Sequence, residues 1–423
     1  MRRPTFPIVV AAGAALGLVL AGCGGSTPAP PPESDSGTVT YWDTSREVEQ
    51  VVFKKLAEGC AQKGGYKLQY EAVPFNTARN NFKTAAQGGQ GPDVLRTDVG
   101  WVAEFAKLGL ITDLSETDAA KDTGDYLQVP LESAKFEGKT YAVPQVIDTM
   151  GLYYNKKLLE ATGVTPPKSY DDIKAAATKL GGGDKTLFIN PLGYYATPWL
   201  YSSGADVVNP GDKKITVSSD KAVEGLKAAQ DLVTSKSART TSDVANAYNN
   251  VEAAFESGQV AMIVNGPWEY EGYLKTPPFA DPANLGVVAV PGPTGPGKAP
   301  QGGHSYTVRQ GTKAKPSSVK FAQCMSSQES QTEIAKSLGL IPTRKSSLDS
   351  AEAKAKPAIA AFAPLLQDNT EARESIPEYG QLIEPGGLLQ PHYVAILTGA
   401  DVKASLDAAA KAFQPVLPGY TVG

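Results

Sequence analysis

The sequence has little of what metal-dependent and nucleophilic enzymes need. It has two histidines, His304 and His392, three cysteines, no His-Glu-x-x-His motif and no Cys-x-x-Cys pair, which argues against the common zinc sites. The segment around His304 and Ser305 lacks the second glycine of a nucleophile elbow. We therefore predict no metal, no cofactor and no catalytic residue. Carboxylates are plentiful, so a glycosidase pair stays open.

The glycine-rich segment 181–186 is only superficially similar to a phosphate-binding loop. Asp184 stands where a glycine is needed before Lys185, and its carboxylate would repel a phosphate. We expect a surface turn.

The sequence also lacks an excess of charge of either sign. It has 40 basic and 44 acidic residues and no basic block or acidic tail, so it has no feature of a nucleic-acid-binding protein. Beyond the N-terminus, no apolar run reaches the ~18 residues that a membrane-spanning helix needs.

The N-terminus itself is typical of bacterial export. Arg2 and Arg3 precede an apolar run, residues 8–20, and the segment 20–23 that ends in Cys23 resembles the lipobox of lipoproteins. The resemblance implies cleavage after a signal peptide of residues 1–22 and a lipid anchor on Cys23, on the outer face of the cell membrane. The alternative is an ordinary signal peptide with a stray cysteine. Residues 23–37, rich in glycine and proline, are expected to be a spacer.

The remaining roughly 385 residues are enough for two lobes. Strand and helix patterns alternate, which predicts an α/β fold. Strands are predicted at 38–42, 66–73, 93–95, 151–154, 260–264 and 285–290. Helices are predicted at 48–60, 76–87, 101–108, 169–180, 220–234, 251–256, 316–325 and 403–413, and a long loop at 291–303.

Aromatic residues cluster near predicted strand ends and turns. A sugar site needs aromatic rings for the C–H face of a sugar ring and polar groups for its hydroxyl edge. The alternative is that the aromatic residues fill the cores. The aromatic candidates are Trp42, Trp101, Trp199, Trp268, Tyr194, Tyr195 and Tyr270, and polar residues in comparable positions are Asp43, Asp98, Asp148 and Arg344.

Five sequence blocks, in order along the chain, carry a resemblance to a known family. They are residues 91–110, 136–156, 254–268, 302–305 and 340–344. Together they resemble the extracytoplasmic solute-binding proteins of ABC sugar importers, and most of all the maltose- and maltodextrin-binding lipoproteins of actinobacteria.

The resemblance implies a two-lobed periplasmic-binding-protein fold of type II with the ligand between the lobes. The lobes are expected to comprise residues 38–146 plus 291–350, and residues 147–290 plus 351–423. The loop after the first strand is shorter than in many relatives, and the segment 383–391 departs from the family pattern. The ligand-binding residues that the resemblance implies are Asp43, Thr44, Ser45, Arg46, Asp98, Trp101, Asp148, Tyr194, Tyr195, Trp268, Tyr270, Gly303, His304, Arg344 and Tyr379.

The function that the resemblance implies is a monomeric, lipid-anchored receptor without enzymatic activity. It would bind α-linked gluco-oligosaccharides, or acarbose-like mimics, and deliver them to the membrane permease subunits of an ABC importer. A surface glycosidase and a cell-surface adhesin are the alternatives. Asp148 could instead brace the hinge between the lobes.

Cys60 and Cys324 could pair in an oxidising compartment or stay as buried thiols. The resemblance places them in the same lobe, and on that ground we expect a disulfide.

Overall fold

The structure, a computed structural model, describes residue 35 and residues 37–423. The predicted signal peptide, Cys23 and the rest of the linker lie outside the described residues. The strands in the described part are β1 (Thr38–Asp43), β2 (Lys67–Ala72), β3 (Val94–Asp98), β4 (Lys135–Phe136), β5 (Lys139–Thr140), β6 (Ala142–Asp148), β7 (Gly151–Asn155), β8 (Leu187–Phe188), β9 (Val208–Asn209), β10 (Lys214–Ile215), β11 (Met262–Asn265), β12 (Leu285–Val288), β13 (Ala299–Pro300), β14 (Gly302–Val308), β15 (Ile341–Pro342), β16 (Thr370–Glu371) and β17 (Thr421–Val422).

Helices separate most of these strands. They are α1 (Glu47–Gly64), α2 (Phe75–Gln87), α3 (Val102–Lys107), α4 (Asp118–Lys121), α5 (Gln128–Ser133), α6 (Lys156–Ala161), α7 (Tyr170–Leu180), α8 (Gly183–Thr186), α9 (Thr197–Ser202), α10 (Asp220–Thr234), α11 (Ala247–Glu256), α12 (Tyr270–Tyr273), α13 (Lys315–Met325), α14 (Gln328–Leu338), α15 (Lys345–Leu348), α16 (Ala351–Lys354), α17 (Pro357–Asp368), α18 (Tyr379–Ile383), α19 (Gln390–Leu397) and α20 (Val402–Phe413).

The first lobe is built on a six-stranded sheet in the order β15-β6-β14-β3-β1-β2. Strands β1, β2 and β3 are parallel, and helices α1 and α2 connect them, because parallel neighbours need a crossover. Strand β14 runs antiparallel between β3 and β6. Asp43, Asp98 and Asp148 end β1, β3 and β6 and therefore lie along one edge of this sheet, the edge at which ligands bind in open α/β sheets.

The second lobe is built on a four-stranded sheet in the order β12-β7-β11-β8. Strand β7 pairs antiparallel with both β11 and β12, and β8 pairs parallel with β11. Leu152, Tyr153, Met262 and Ile263 of this sheet are fully buried, so helices cover both faces.

The chain passes from the first sheet to the second between β6 and β7, and it returns between β12 and β14. The Thr149 hydroxyl of the first passage donates to the Pro300 carbonyl of β13 (3.1 Å), and β13 pairs with β16. The crossing segments therefore lie side by side. The lobe boundaries given above stay a prediction.

Most predicted elements are present, and several boundaries agree. Helix α10 has the predicted bounds because its pattern is amphipathic and the Ser219 side chain caps its first turn. Helices α14, α17 and α19 and strand β6 were not predicted. None of the helices in the described residues is long and apolar enough to cross a membrane.

Two loop predictions need correction. The end of the predicted loop 291–303 forms β13 and the start of β14, because β13 finds its partner in β16, about seventy residues further along the chain. The predicted surface turn 181–186 contains α8, in which Gly183 and Thr186 are buried. A Cβ at Gly183 would lie 2.7 Å from the Ala238 carbonyl oxygen, so this glycine permits a close backbone approach.

A disulfide joins α1 to α13 through Cys60 and Cys324, whose Cα atoms are 5.8 Å apart and whose sequence separation is 264 residues. Both helices pack in the core of the first lobe, α1 through Ala57 and α13 through Phe321. A crosslink over so long a loop stabilises a fold by restricting the unfolded chain.

We predict that the peptides of Cys60 and Cys324 stay unlabelled when the unreduced, unfolded protein is treated with a thiol reagent, and that mass spectrometry finds them crosslinked. Reduction should lower the free energy of unfolding by about 2–5 kcal/mol, because the unfolded chain gains freedom. The double Cys60→Ser, Cys324→Ser variant is the control and should be insensitive to reductant. Labelling of both peptides without reductant would contradict the bridge.

Candidate binding site

A cavity of about 560 Å³ lies between the two sheets, a size typical of sites for small organic ligands. Its wall combines aromatic rings, carboxylates and guanidinium groups from both lobes. The aromatic residues of the wall are Phe75, Tyr194, Tyr195, Tyr248 and Trp268, and its charged residues are Arg46, Glu49, Arg96, Asp98, Asp148, Arg373 and Glu384.

The structure brings eight of the sequence-predicted residues to this cavity. They come from the ends of β1, β3 and β6, from β14, and from two segments of the second lobe. Their role as ligand contacts stays a prediction. These residues are Thr44, Arg46, Asp98, Asp148, Tyr194, Tyr195, Trp268 and His304.

The other seven predicted residues do not line the cavity, and their side chains or backbone make structural contacts elsewhere. Asp43 and Ser45 form a closed turn: the Asp43 carboxylate accepts hydrogen bonds from the Ser45 amide (3.0 Å) and hydroxyl (2.8 Å) and from the Tyr70 hydroxyl (2.6 Å). Asp43 therefore fixes the loop that carries Thr44 and Arg46.

Trp101 lies in the core of the first lobe with 1% of its surface exposed. It stacks on Phe75 with ring centroids 5.0 Å apart, and Phe75 lines the cavity. This corrects the prediction that Trp101 faces the cleft. Phe75, from the first turn of α2, lies between the Trp101 indole and the cavity, so the ring at this part of the wall is that of Phe75.

Tyr270 packs in the core of the second lobe beside Tyr153. Arg344 is held away from the cavity: its Nε donates to the Ser326 carbonyl (2.7 Å), it pairs with Asp122 (2.5 Å), and it covers the Tyr126 ring at 4.1 Å. Neither side chain lines the cavity, because packing and pairing hold both elsewhere; their role as ligand contacts stays a prediction.

Gly303 and Tyr379 also lie outside the cavity wall, and their role as ligand contacts stays a prediction. Gly303 has φ +142°, and a Cβ there would lie 2.3 Å from the Val146 carbonyl oxygen, so this glycine serves the irregular pairing of β14 with β6. Tyr379 is 1% exposed and lies behind Arg373, whose guanidinium carbon is 5.7 Å from its ring centroid.

Asp148 has an unusual environment among the wall residues. It is 7% exposed, and within the described residues no protein group donates a hydrogen bond to its carboxylate. Burial raises its pKa to about 7; Arg373 and Arg96 oppose this shift and Asp98 adds to it. A buried carboxylate without a partner has acceptor capacity to offer a ligand, and the absence of partners argues against a bracing role.

Arg373 carries the other half of this charge arrangement. Its side chain is 7% exposed and pairs with Asp98 of β3 (2.9 Å) and with Glu384 (3.4 Å). Its Nε donates to the Gln301 carbonyl (2.8 Å), and the Tyr194 ring lies 5.3 Å away. Arg373 therefore ties the first sheet, a crossing segment and the second lobe together at the cavity wall.

His304 stands beside Asp98 in the pairing of β14 with β3. Neither of its ring nitrogens has a hydrogen-bond partner among the described residues, and burial, with Arg96 and Arg373 nearby, lowers its pKa well below its usual value. The imidazole is therefore neutral at physiological pH, with one donor and one acceptor nitrogen.

A second ion pair joins the two lobes beside the cavity. Arg46, from the loop after β1, pairs with Glu269 of the second lobe (2.6 Å) and lies over the Tyr248 ring at 4.9 Å. The Tyr248 hydroxyl donates to Glu269 (2.6 Å), and the Trp268 Nε1 donates to the Tyr248 hydroxyl (2.9 Å). Burial raises the pKa of Glu269 above its usual value, and Arg46 and Tyr248 oppose part of this shift.

Arg96 and Glu49 lie in the first-lobe part of the wall. Arg96 donates through Nε to Gln145 (2.9 Å) and covers the Phe53 ring at 5.0 Å. Burial raises the pKa of Glu49 to about 7, with Arg96 opposing the shift. Within the described residues no cluster of acidic, histidine or cysteine side chains has the arrangement of a metal site.

Sequence reasoning missed several wall residues, and for most of them there was little to find. Arg373, Glu384 and Gln390 come from the segment after β16, and the last two lie in 383–391, where the chain departs from the family pattern. Phe75 could have been found, because an aromatic residue that opens a helix just after a strand end sits at the ligand edge of the sheet.

The comparisons with known proteins agree with this architecture. Residues 55–361 match the sequence model of a family described as bacterial extracellular solute-binding protein. The GacH receptor of Streptomyces glaucescens, solved unliganded and in complex with acarbose and an acarbose homolog, is 37% identical with a TM-score of 0.85, covering 91% of this chain and 99% of that one.

Two sequence relatives are similar over most of their length. A maltotriose-binding protein of Pyrococcus abyssi is 26% identical over 79% of this chain and 73% of its own. A maltooligosaccharide ABC transporter solute-binding lipoprotein of Streptococcus pneumoniae (strain R6) is 25% identical over 80% of each chain.

The environment of Asp148 predicts a pH-dependent cost of stability in the unliganded protein. Burial raises the carboxyl pKa from its ordinary value of 3.8 to about 7 in the folded state, so the folded state binds more protons between these values and stability falls as pH rises from 4 to 7. Asp148→Asn should raise the free energy of unfolding by about 2–4 kcal/mol at pH 8 and change it little at pH 4. Thermal unfolding at the two pH values measures this.

Asp43→Asn is the matched control for that experiment. Because the Asp43 carboxylate accepts three hydrogen bonds, this change should lower stability at pH 8. A loss of stability in Asp148→Asn at pH 8 would show that the carboxylate braces the hinge.

Proposed function

Because this chain belongs to the bacterial extracellular solute-binding protein family, we propose that it is a receptor for α-linked gluco-oligosaccharides that delivers them to an ABC importer. The ligands we propose are maltodextrins or acarbose-like pseudo-oligosaccharides. The maltotriose-binding, maltooligosaccharide-binding and acarbose-bound relatives support this choice of ligand class.

The observation that carries the proposal is the chemistry of the cavity wall. Phe75 of the first lobe and Trp268 of the second offer rings to the C–H faces of a sugar. In the part of the chain that the structure describes, the Asp148 carboxylate has no protein donor and the His304 nitrogens have no partner, so both side chains offer hydrogen bonds to hydroxyl groups. A charged acceptor binds a hydroxyl more strongly than a neutral one does.

Ligand binding by such a wall favours the closed arrangement of the two lobes. A sugar that contacts both lobes makes interactions that are absent when the lobes are apart, so it stabilises closure by that difference. We propose that permease subunits recognise the closed form. Arg46–Glu269 and Asp98–Arg373 are protein contacts that would close and open with the cleft.

We also propose that the receptor is a monomer held on the outer face of the cell membrane by a lipid on Cys23, with residues 23–37 as its tether. The relatives are binding proteins, and we propose that this chain likewise carries out no covalent chemistry. The N-terminal lipobox pattern and the lipoprotein relative support the anchor.

Titration calorimetry with a panel of sugars tests the proposed function. We expect maltose, maltotriose, longer maltodextrins or acarbose to bind with a Kd of micromolar order or tighter, and lactose and cellobiose to bind far more weakly. Prolonged incubation with maltotriose should yield no glucose or maltose. Cleavage would support the glycosidase alternative, and no binding to any of the α-glucans would reject the receptor.

We predict that Trp268→Ala weakens binding of the best panel sugar roughly tenfold to a hundredfold, because one aromatic face is worth on the order of 1–3 kcal/mol. The control is Trp42→Ala, since Trp42 lies outside the cavity and donates to Glu71 (2.7 Å). Calorimetry and circular dichroism of both variants measure affinity and folding. Equal affinities for the folded Trp268 variant and the wild type would remove Trp268 from the site.

A further inference from the structure

Asn265 does not line the cavity, yet three cavity residues depend on it directly or through one neighbour. We propose that Asn265 is a positioning residue that makes Tyr195 a pure hydrogen-bond acceptor toward the ligand and fixes Tyr248 behind Trp268. The inference rests on the proposed function in one respect, that the ligand is a sugar whose hydroxyl donates to Tyr195.

Asn265 is the last residue of β11 and is fully buried. It lies opposite Gly151 in the pairing of β11 with β7, and Gly266 and Pro267 connect it to Trp268. Its side chain is therefore anchored on a sheet rather than on a loop, which is what a precise support requires.

The orientation of the Asn265 amide follows from its partners. The Gly266 N–H can only donate, and it lies 2.9 Å from Oδ1. The Glu252 carboxylate lies 2.7 Å from Nδ2, so the amide nitrogen donates to it. Both ends of the amide are thus assigned by chemistry.

Tyr195 is then restricted to one hydrogen-bonding role. Its hydroxyl lies 3.1 Å from the Asn265 Oδ1, which can only accept, so the phenolic hydrogen is committed there. Because Tyr195 lines the cavity, its oxygen can offer a ligand only lone pairs. A sugar hydroxyl at this position must donate.

Tyr248 is fixed from the same amide. The Trp268 Nε1 (2.9 Å) donates to its oxygen, and its own hydrogen goes to Glu269 (2.6 Å). After its bond to Glu252, the Asn265 Nδ2 has one hydrogen left, which the hydroxyls of Tyr248 and Tyr273, both 3.3 Å away, share. The Tyr248 hydroxyl therefore links Asn265 to Trp268 and to the Arg46–Glu269 pair.

A double-mutant cycle in calorimetry with maltotriose tests the positioning role. Asn265→Leu keeps the side-chain size and removes every hydrogen bond, and it should weaken binding about tenfold or more. On a Tyr195→Phe background, which already lacks the oriented hydroxyl, the same change should weaken binding by a clearly smaller factor. An equal factor on both backgrounds, or no loss on either, would overturn the proposal.

Asn284→Leu is the matched control. Asn284 is also buried in the second lobe and accepts from the Lys157 amide (2.7 Å), but it does not line or support the cavity. It should lower the melting temperature and leave affinity unchanged on both backgrounds. If Asn265→Leu does not fold, Asn265→Ser, which keeps one hydroxyl, takes its place in the cycle with the same expected coupling.

A ligand-free measurement decides the role of Asn265 if the wild type binds no sugar of the panel, an outcome that rejects the proposed function. Trp268 emission is obtained as the difference between each protein and its Trp268→Phe version. Asn265→Leu should shift this emission, because Tyr248 loses a partner behind the indole, and Asn284→Leu should not. An unshifted emission in Asn265→Leu would then overturn the inference.

Discussion

One buried guanidinium, that of Arg373, sets the relation between the two lobes at the cavity. A buried charge is tolerated only when it is paired and hydrogen-bonded, and Arg373 meets this condition with Asp98 of the first sheet, Glu384 of the second lobe and the Gln301 carbonyl of a crossing segment. These three partners come from different parts of the chain. The arrangement of the lobes in this structure is therefore also the arrangement that satisfies Arg373.

The pairing of Arg373 decides which of the neighbouring carboxylates have a charged partner. Asp98 and Glu384 pair with Arg373, whereas Asp148 has no donor among the described residues, and its burial raises its pKa to about 7. Burial also raises the pKa of Glu49, another residue of the wall, to about 7. Unfavourable protonation environments of this kind cluster where a protein binds or reacts, because stability is given up for groups that a ligand will later satisfy.

Local pattern predicted the elements well and the wall only in part. Helix α10 could be bounded from Ser219 and its amphipathic face, whereas the strand predicted at 93–95 extends over Val94–Asp98 as β3. Strand β13 could not be predicted, because the strand that pairs with it, β16, is distant in sequence. The same holds for Arg373 and Glu384. Their sequence neighbours do not distinguish them from surface charges, and they reach the cavity because the segment after β16 packs against the two sheets.

Asp43 and Asp148 show where sequence reasoning reaches its limit. Both are aspartates that end a strand at the same edge of one sheet, and both were predicted to contact ligand. Ser45 and Tyr70 donate three hydrogen bonds to the Asp43 carboxylate, and these bonds hold the loop that carries Thr44 and Arg46. In the described part of the chain, Asp148 has no such donors, so its carboxylate can accept hydrogen bonds. The residue type and its place in the strand are the same; the difference lies in the donors that the fold brings near, and these are set by tertiary contacts.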